Sequence, residues 1–195
     1  QSSTFLAEDN NQLKFLEFNL PYTTSAAMAQ RLAKIALFRN RQQVVLNGTF
    51  NLKAFQLNPN DPRVLSGTGE VLVRVNKQDQ GLDMLEKALA LDPIPMGQTT
   101  SDNRFKDLVL GYFLANKLEQ CIETAKALVE IDERSWLILM RSYQLMGLQF
   151  TESKEFADNA NRFKGLDWQA SIHRFHIPSA DVQSDLMELT KSLVE

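Results

Sequence analysis

The sequence predicts an all-α fold in which antiparallel helix pairs stack into a short superhelical array. Three observations carry this expectation. Leu57-Asn58-Pro59-Asn60-Asp61-Pro62 and Leu91-Asp92-Pro93 each mark a helix end, and they bracket one helix–turn–helix unit of about 34 residues. The spacing of Leu65, Thr68 and Leu72 returns in Phe105, Leu108 and Tyr112, and again in Trp136, Leu139 and Tyr143. Glycine and proline are sparse, at 8 and 6 of 195 residues, too few for a sandwich or barrel with many turns.

The first unit opens with Asn60 or Asp61 as cap and Pro62 at the first helical position. Its apolar stripe is Leu65, Thr68, Gly69 and Leu72, on one face at spacings of three and four. Asn76-Lys77 supplies the turn, and Gly81, Leu82, Leu85, Ala88 and Leu89 form the facing stripe of the second helix. Gly69 and Gly81 are expected where the two helices approach closely. Later turns fall at Asn116-Lys117 and Gly147-Leu148, with Cys121 and Ser153 as small residues near the start of the next helices. A lone helix pair cannot bury its own apolar face, which is the physical reason for repetition. Ser179-Ala180-Asp181 opens a last helix carrying Val182, Leu186, Leu189 and Leu193.

These residues, from about Lys53 to Glu195, resemble tetratricopeptide repeat (TPR) proteins. They are most similar to the repeats that follow winged-helix or cyclase domains in bacterial signalling proteins, where a similar terminal helix caps the array. The linker Pro93–Asp102 departs from the pattern by lengthening the second unit. No winged-helix or cyclase segment is present, so DNA binding and cyclase activity are not carried over.

The first third reads differently. Leu13–Leu20 alternates like a strand, Thr24 or Ser25 caps a helix over Ser25–Asn40, and Gln42–Phe50 suits a strand with a turn at Asn47-Gly48. The words Leu20-Pro21-Tyr22-Thr23-Thr24-Ser25, Met28–Leu37, Arg41-Gln42-Gln43 and Leu52-Lys53-Ala54-Phe55 resemble a tail-tip protein of long-tailed bacteriophages over roughly residues 4–55. That likeness implies a virion structural role and no catalytic residues. It meets the repeat likeness on Lys53-Ala54-Phe55-Gln56-Leu57-Asn58-Pro59, so the chain reads as a chimera: a phage-tail-like α or α/β segment at 1–56 and a TPR-like domain at 57–195. A two-stranded ribbon is marginal alone. The repeat pattern therefore favours helix for Asn51–Leu57 and leaves Val44–Phe50 open between strand and helix.

Composition bounds the function. A net charge of −3 argues against a non-specific nucleic-acid binder. No run reaches the length needed to span a bilayer, and the single Cys121 excludes an internal disulfide framework. A cytoplasmic protein is expected, with a virion as the alternative. His173 and His176 have a spacing that metal sites use, but no third ligand is near in sequence. No phosphate-binding glycine loop or nucleophile elbow occurs. No cofactor, metal or catalytic residue is therefore expected, and an unrecognised hydrolase or transferase is the remote rival. Arg63, Arg74, Lys106, Arg134 and Arg141 fall off the packing stripes. With Phe113 and Gln144 they make the expected partner-binding face of a concave groove, suited to an acidic peptide or a protein segment with a carboxylate.

Overall fold

The computed structural model describes residues 44–177 and 179–194. Among them every regular element is helical. The helices are α1 (Val44–Leu57), α2 (Pro62–Arg74), α3 (Gln78–Leu91), α4 (Asp102–Leu114), α5 (Leu118–Lys126), α6 (Glu133–Leu145), α7 (Lys154–Phe163), α8 (Trp168–Arg174) and α9 (Ala180–Val194). A 3-10 turn, Phe150–Glu152, precedes α7. The strand expected at Leu13–Leu20 and the helix expected at Ser25–Asn40 lie outside the described residues, as does most of the phage-like text.

The open choice at Val44–Phe50 resolves as helix, because α1 is continuous from Val44 to Leu57. It ends at Leu57, beside the expected domain boundary at 56/57. The contacts that hold α1 fall on its C-terminal half, past the Asn47-Gly48 turn signal. Ala54 is fully buried. The Asn51 side-chain amide donates to the Gly67 carbonyl at 3.1 Å. The Thr68 hydroxyl donates to the Asn51 carbonyl at 3.2 Å in a buried position. A Cβ on Gly67 would lie 2.9 Å from Asn51 Oδ1, so the glycine admits this contact.

Asp61 caps α2, accepting from the backbone N–H groups of Arg63 at 2.9 Å and Val64 at 3.4 Å, with Pro62 at the first helical position. All four stripe residues, Leu65, Thr68, Gly69 and Leu72, are buried. Across from them Gly81, Leu82, Leu85 and Ala88 of α3 are buried too. The crossing is close: a Cβ on either Gly69 or Gly81 would sit 2.7 Å from the other's carbonyl oxygen.

Three turns repeat one geometry. Asn76, Asn116 and Gly147 hold φ of 67°, 56° and 72°, the left-handed region. The next N–H in each case (Lys77, Lys117, Leu148) donates back to the carbonyl of Leu72, Tyr112 or Tyr143, at 2.9, 2.8 and 2.9 Å. This six-to-one bond satisfies a carbonyl that the helix end would otherwise leave unpaired. Asparagine and glycine tolerate positive φ best, which is why the turns are legible in the sequence.

Consecutive helices from α1 through α7 pack on one another, and helices two apart also touch: α2 with α4, and α4 with α6. The largest core lies around α6. Trp136 is 2% exposed. Its rings sit 5.1 Å from Phe163 and 6.0 Å from both Phe156 and Trp168, while its indole N–H donates to the Glu155 carbonyl at 3.1 Å. Ser153 is the N-cap of α7, accepting from Phe156 N–H at 3.2 Å, rather than an interhelix packing residue. The last helix forms as expected: Leu186 and Leu189 of α9 are buried, and α9 packs on α6 and α8.

The linker between α3 and α4 is held at both ends. Arg104 pairs with Asp92 at 3.1 Å. Asp102 reaches to the next unit and accepts from Val129 N–H at 2.9 Å and Glu130 N–H at 2.8 Å. The lengthened second unit is therefore pinned by two short carboxylate contacts to the loop that leads into α6.

Candidate functional site

Alternate helices α2, α4 and α6 present their polar sides to a common cleft of about 500 Å³. Arg63, Ser66 and Glu70 come from α2, and Asn103, Lys106 and Asp107 from α4. Asp132, Glu133 and Arg134 come from the start of α6, and Arg174 and Phe175 from the end of α8. A helix stripe that packs inward leaves the residues a third of a turn away facing outward, so this set is fixed by the same periodicity that fixes the core.

Three of the expected residues meet here: Arg63, Lys106 and Arg134. Among the described residues the side chains of Arg63 and Lys106 have no ion-pair or hydrogen-bond partner. Arg134 is only 8% exposed. One of its terminal nitrogens donates to the Lys106 carbonyl at 3.2 Å and stands 3.8 Å from an Asp107 oxygen. Its Nε–H is buried with no acceptor among the described residues. Asp107 itself receives the Ser66 hydroxyl at 3.4 Å. Burial, reinforced by the nearby Glu70 carboxylate, pushes its carboxyl up to about 6 against the opposing pull of Arg134, Arg74 and Arg104.

The other expected residues stand elsewhere. Arg74 is 6% exposed rather than off the packing face. It donates to the carbonyls of Phe175 at 2.7 Å and His176 at 2.6 Å and pairs with Glu70 at 2.8 Å. Phe113 is buried in the main core. Arg141 pairs with Asp185 of α9 at 2.9 Å and also donates to Gln144 at 2.6 Å; Gln144 is exposed. Neither of the last two lines the cleft.

Arg104, Arg174 and the acids Glu70, Asp107, Asp132 and Glu133 join the cleft without having been singled out in sequence. The acids carried no signal, because single charges off the apolar stripe read as ordinary solvated surface. Arg174 arrives because Arg74 of α2 is bonded to the carbonyls at the end of α8.

Cys121 is fully buried, donating to the Val109 carbonyl and accepting from the Ser142 hydroxyl, each at 3.4 Å. Burial pushes its thiol up to about 12, so it is a packing group rather than a nucleophile. His173 is exposed on α8 and His176 holds a φ of 52° just beyond it. Among the described residues no three potential metal ligands come together, and no helix is long and apolar enough to cross a membrane.

No protein-family model matches the chain, and no curated protein matches it. The class defined by fold and cleft is therefore a stack of consecutive α-helices with a mixed-charge groove across alternate helices.

Proposed function

We propose that the chain is a non-enzymatic, TPR-like protein-interaction module that binds an acidic peptide segment in the cleft between α2, α4 and α6. The observation that carries this reading is that Arg63 and Lys106, on neighbouring cleft helices, have no ion-pair partner among the described residues, while Arg134 of α6, lining the same cleft, has its closest carboxylate oxygen at 3.8 Å and a buried Nε–H without an acceptor there. Guanidinium and ammonium groups arranged this way suit carboxylates presented along an extended chain. The repeated Asn76, Asn116 and Gly147 turns and the contacts between alternate helices support the repeat part of the reading. The partner expected is thus a protein or acidic peptide, with no cofactor involved.

A fluorescein-labelled hexaglutamate peptide tests this by anisotropy. Saturable binding should weaken with added salt, because the cleft opens to solvent and screening acts there. Reversing Arg63 and Lys106 together to Glu should abolish it while the helical far-UV spectrum is kept. Binding that survives both the reversal and high salt would place the site outside this cleft.

A further inference from the structure

One buried guanidinium of the cleft lacks a close carboxylate partner among the described residues. Among the described residues, buried Arg134 has its nearest carboxylate oxygen 3.8 Å away on Asp107, and its Nε–H has no acceptor. Buried guanidinium groups are ordinarily met by short, often paired contacts near 2.8 Å. Arg74 and Arg104 follow that rule, at 2.8 Å to Glu70 and 3.1 Å to Asp92. Arg134 does not, and it lines the same cleft as Arg63 and Lys106, which have no ion-pair partner among the described residues.

We propose that Arg134 serves two alternative anions, the Asp107 carboxylate and a carboxylate of the bound acidic segment, so that proton uptake by Asp107 strengthens binding. This rests on the cleft reading above and adds its regulation.

The groups around Asp107 make it the proton acceptor. From α2, Glu70 faces it with a like charge and Arg74 with an opposite one, the two paired with each other at 2.8 Å, and Ser66 donates a hydroxyl. From its own helix Arg104 faces it, already engaged with Asp92. From α6 Arg134 faces it at 3.8 Å, and Asp132 and Glu133 line the same cleft. Burial and Glu70 favour the neutral acid, and the arginines do not fully offset them. A proton on Asp107 removes the charge that competes for Arg134 and that repels an incoming carboxylate. Glutamate side chains of the ligand stay ionised above pH 5.5, so the change belongs to the protein.

The test is hexaglutamate affinity from pH 7.5 to 5.5 at fixed ionic strength, for the whole chain and two variants. The unchanged protein should bind about fivefold more tightly at the lower pH, the size of one removed like charge at a partly solvated site. Asp107→Asn should bind tightly at both ends, with a flat profile. Arg134→Gln should lose both the affinity and the pH dependence while its far-UV spectrum is retained, and Arg134→Lys should keep part of the affinity. If the protein binds and Asp107→Asn retains the same slope as the parent, the switch is overturned and the cleft reading stands. If neither the parent nor Asp107→Asn binds at any pH, both are overturned.

Discussion

Arg74, in the last turn of α2, donates Nη1–H to the carbonyl oxygen of Phe175 at 2.7 Å, across a sequence separation of 101 residues. The same nitrogen reaches the His176 carbonyl, and Glu70 holds the other arm of the guanidinium. One side chain therefore satisfies carbonyls at the end of α8, where a helix has acceptors to spare and favours positive charge. Arg74→Met keeps most of the buried stem but leaves these carbonyls and Glu70 without their donor. Urea denaturation should show a loss of about 2–4 kcal/mol, the range for breaking a buried charged hydrogen bond. Limited proteolysis should cut first near 174–180. An unchanged midpoint would mean the contact carries no stability.

Trp136 anchors the α6 core through three ring contacts and one hydrogen bond. Trp136→Ala should cost about 3–5 kcal/mol. A loss under ~1 kcal/mol would show that Phe156, Phe163 and Trp168 close the gap without strain.

The turns predict a backbone effect with a defined sign. Gly147 has φ of 72° with open space around the position of a Cβ, so Gly147→Ala tests conformation without a clash. It should destabilise by about 1 kcal/mol. Asn116→Gly at the matching turn should be neutral or gain a few tenths of a kcal/mol, roughly the margin of glycine over asparagine there. Thermal melts of the two variants moving the opposite way would refute a shared turn geometry.

Asp107 gives a pH dependence. Its folded pKa is raised to about 6 above an ordinary value of 3.8. The folded state therefore binds the proton more tightly than the unfolded one. The stability this contributes is full below the ordinary value and is lost as pH rises through about 6. Asp107→Asn should thus be the more stable protein at pH 7.5, by about 1–2 kcal/mol, with the advantage fading toward pH 4. The full shift is discounted because the Asp107 side chain is 23% exposed and water screens part of its charge. Denaturation of both proteins across that range checks this, since other titrating groups cancel in the difference. A constant difference from pH 4 to 7.5 would contradict it.

What the sequence made legible was local. Leu65, Thr68, Gly69 and Leu72 announce a buried stripe, Asp61-Pro62 a helix start, and Asn76, Asn116 and Gly147 the turns, because each acts through residues within about five positions. Gly69 and Gly81 were legible as a close crossing because a short turn joins their two helices. What was not legible depends on distant partners. Arg74 looked like a surface cation because its acceptors lie at 175 and 176. Asp102 gave no hint that it would pin Val129 and Glu130. Ser153 fitted a packing slot by spacing, but the 3-10 turn before it shifts the register so that it caps α7 instead. Of the expected binding residues, Arg63, Lys106 and Arg134 share a cleft because α2, α4 and α6 lie side by side; Arg141 and Gln144 lie near the far end of α6, and Arg141 faces α9.

The central claim is the location of the site, and a map of backbone amide shifts during a hexaglutamate titration tests it most directly. The shifts should concentrate at Arg63, Ser66, Asn103, Lys106 and Arg134, across three helices that are far apart in sequence but line one cleft. Perturbations centred instead on Lys126, Lys154 and Arg162, which border a separate depression between α5 and α7, would contradict it. So would a spectrum that does not move.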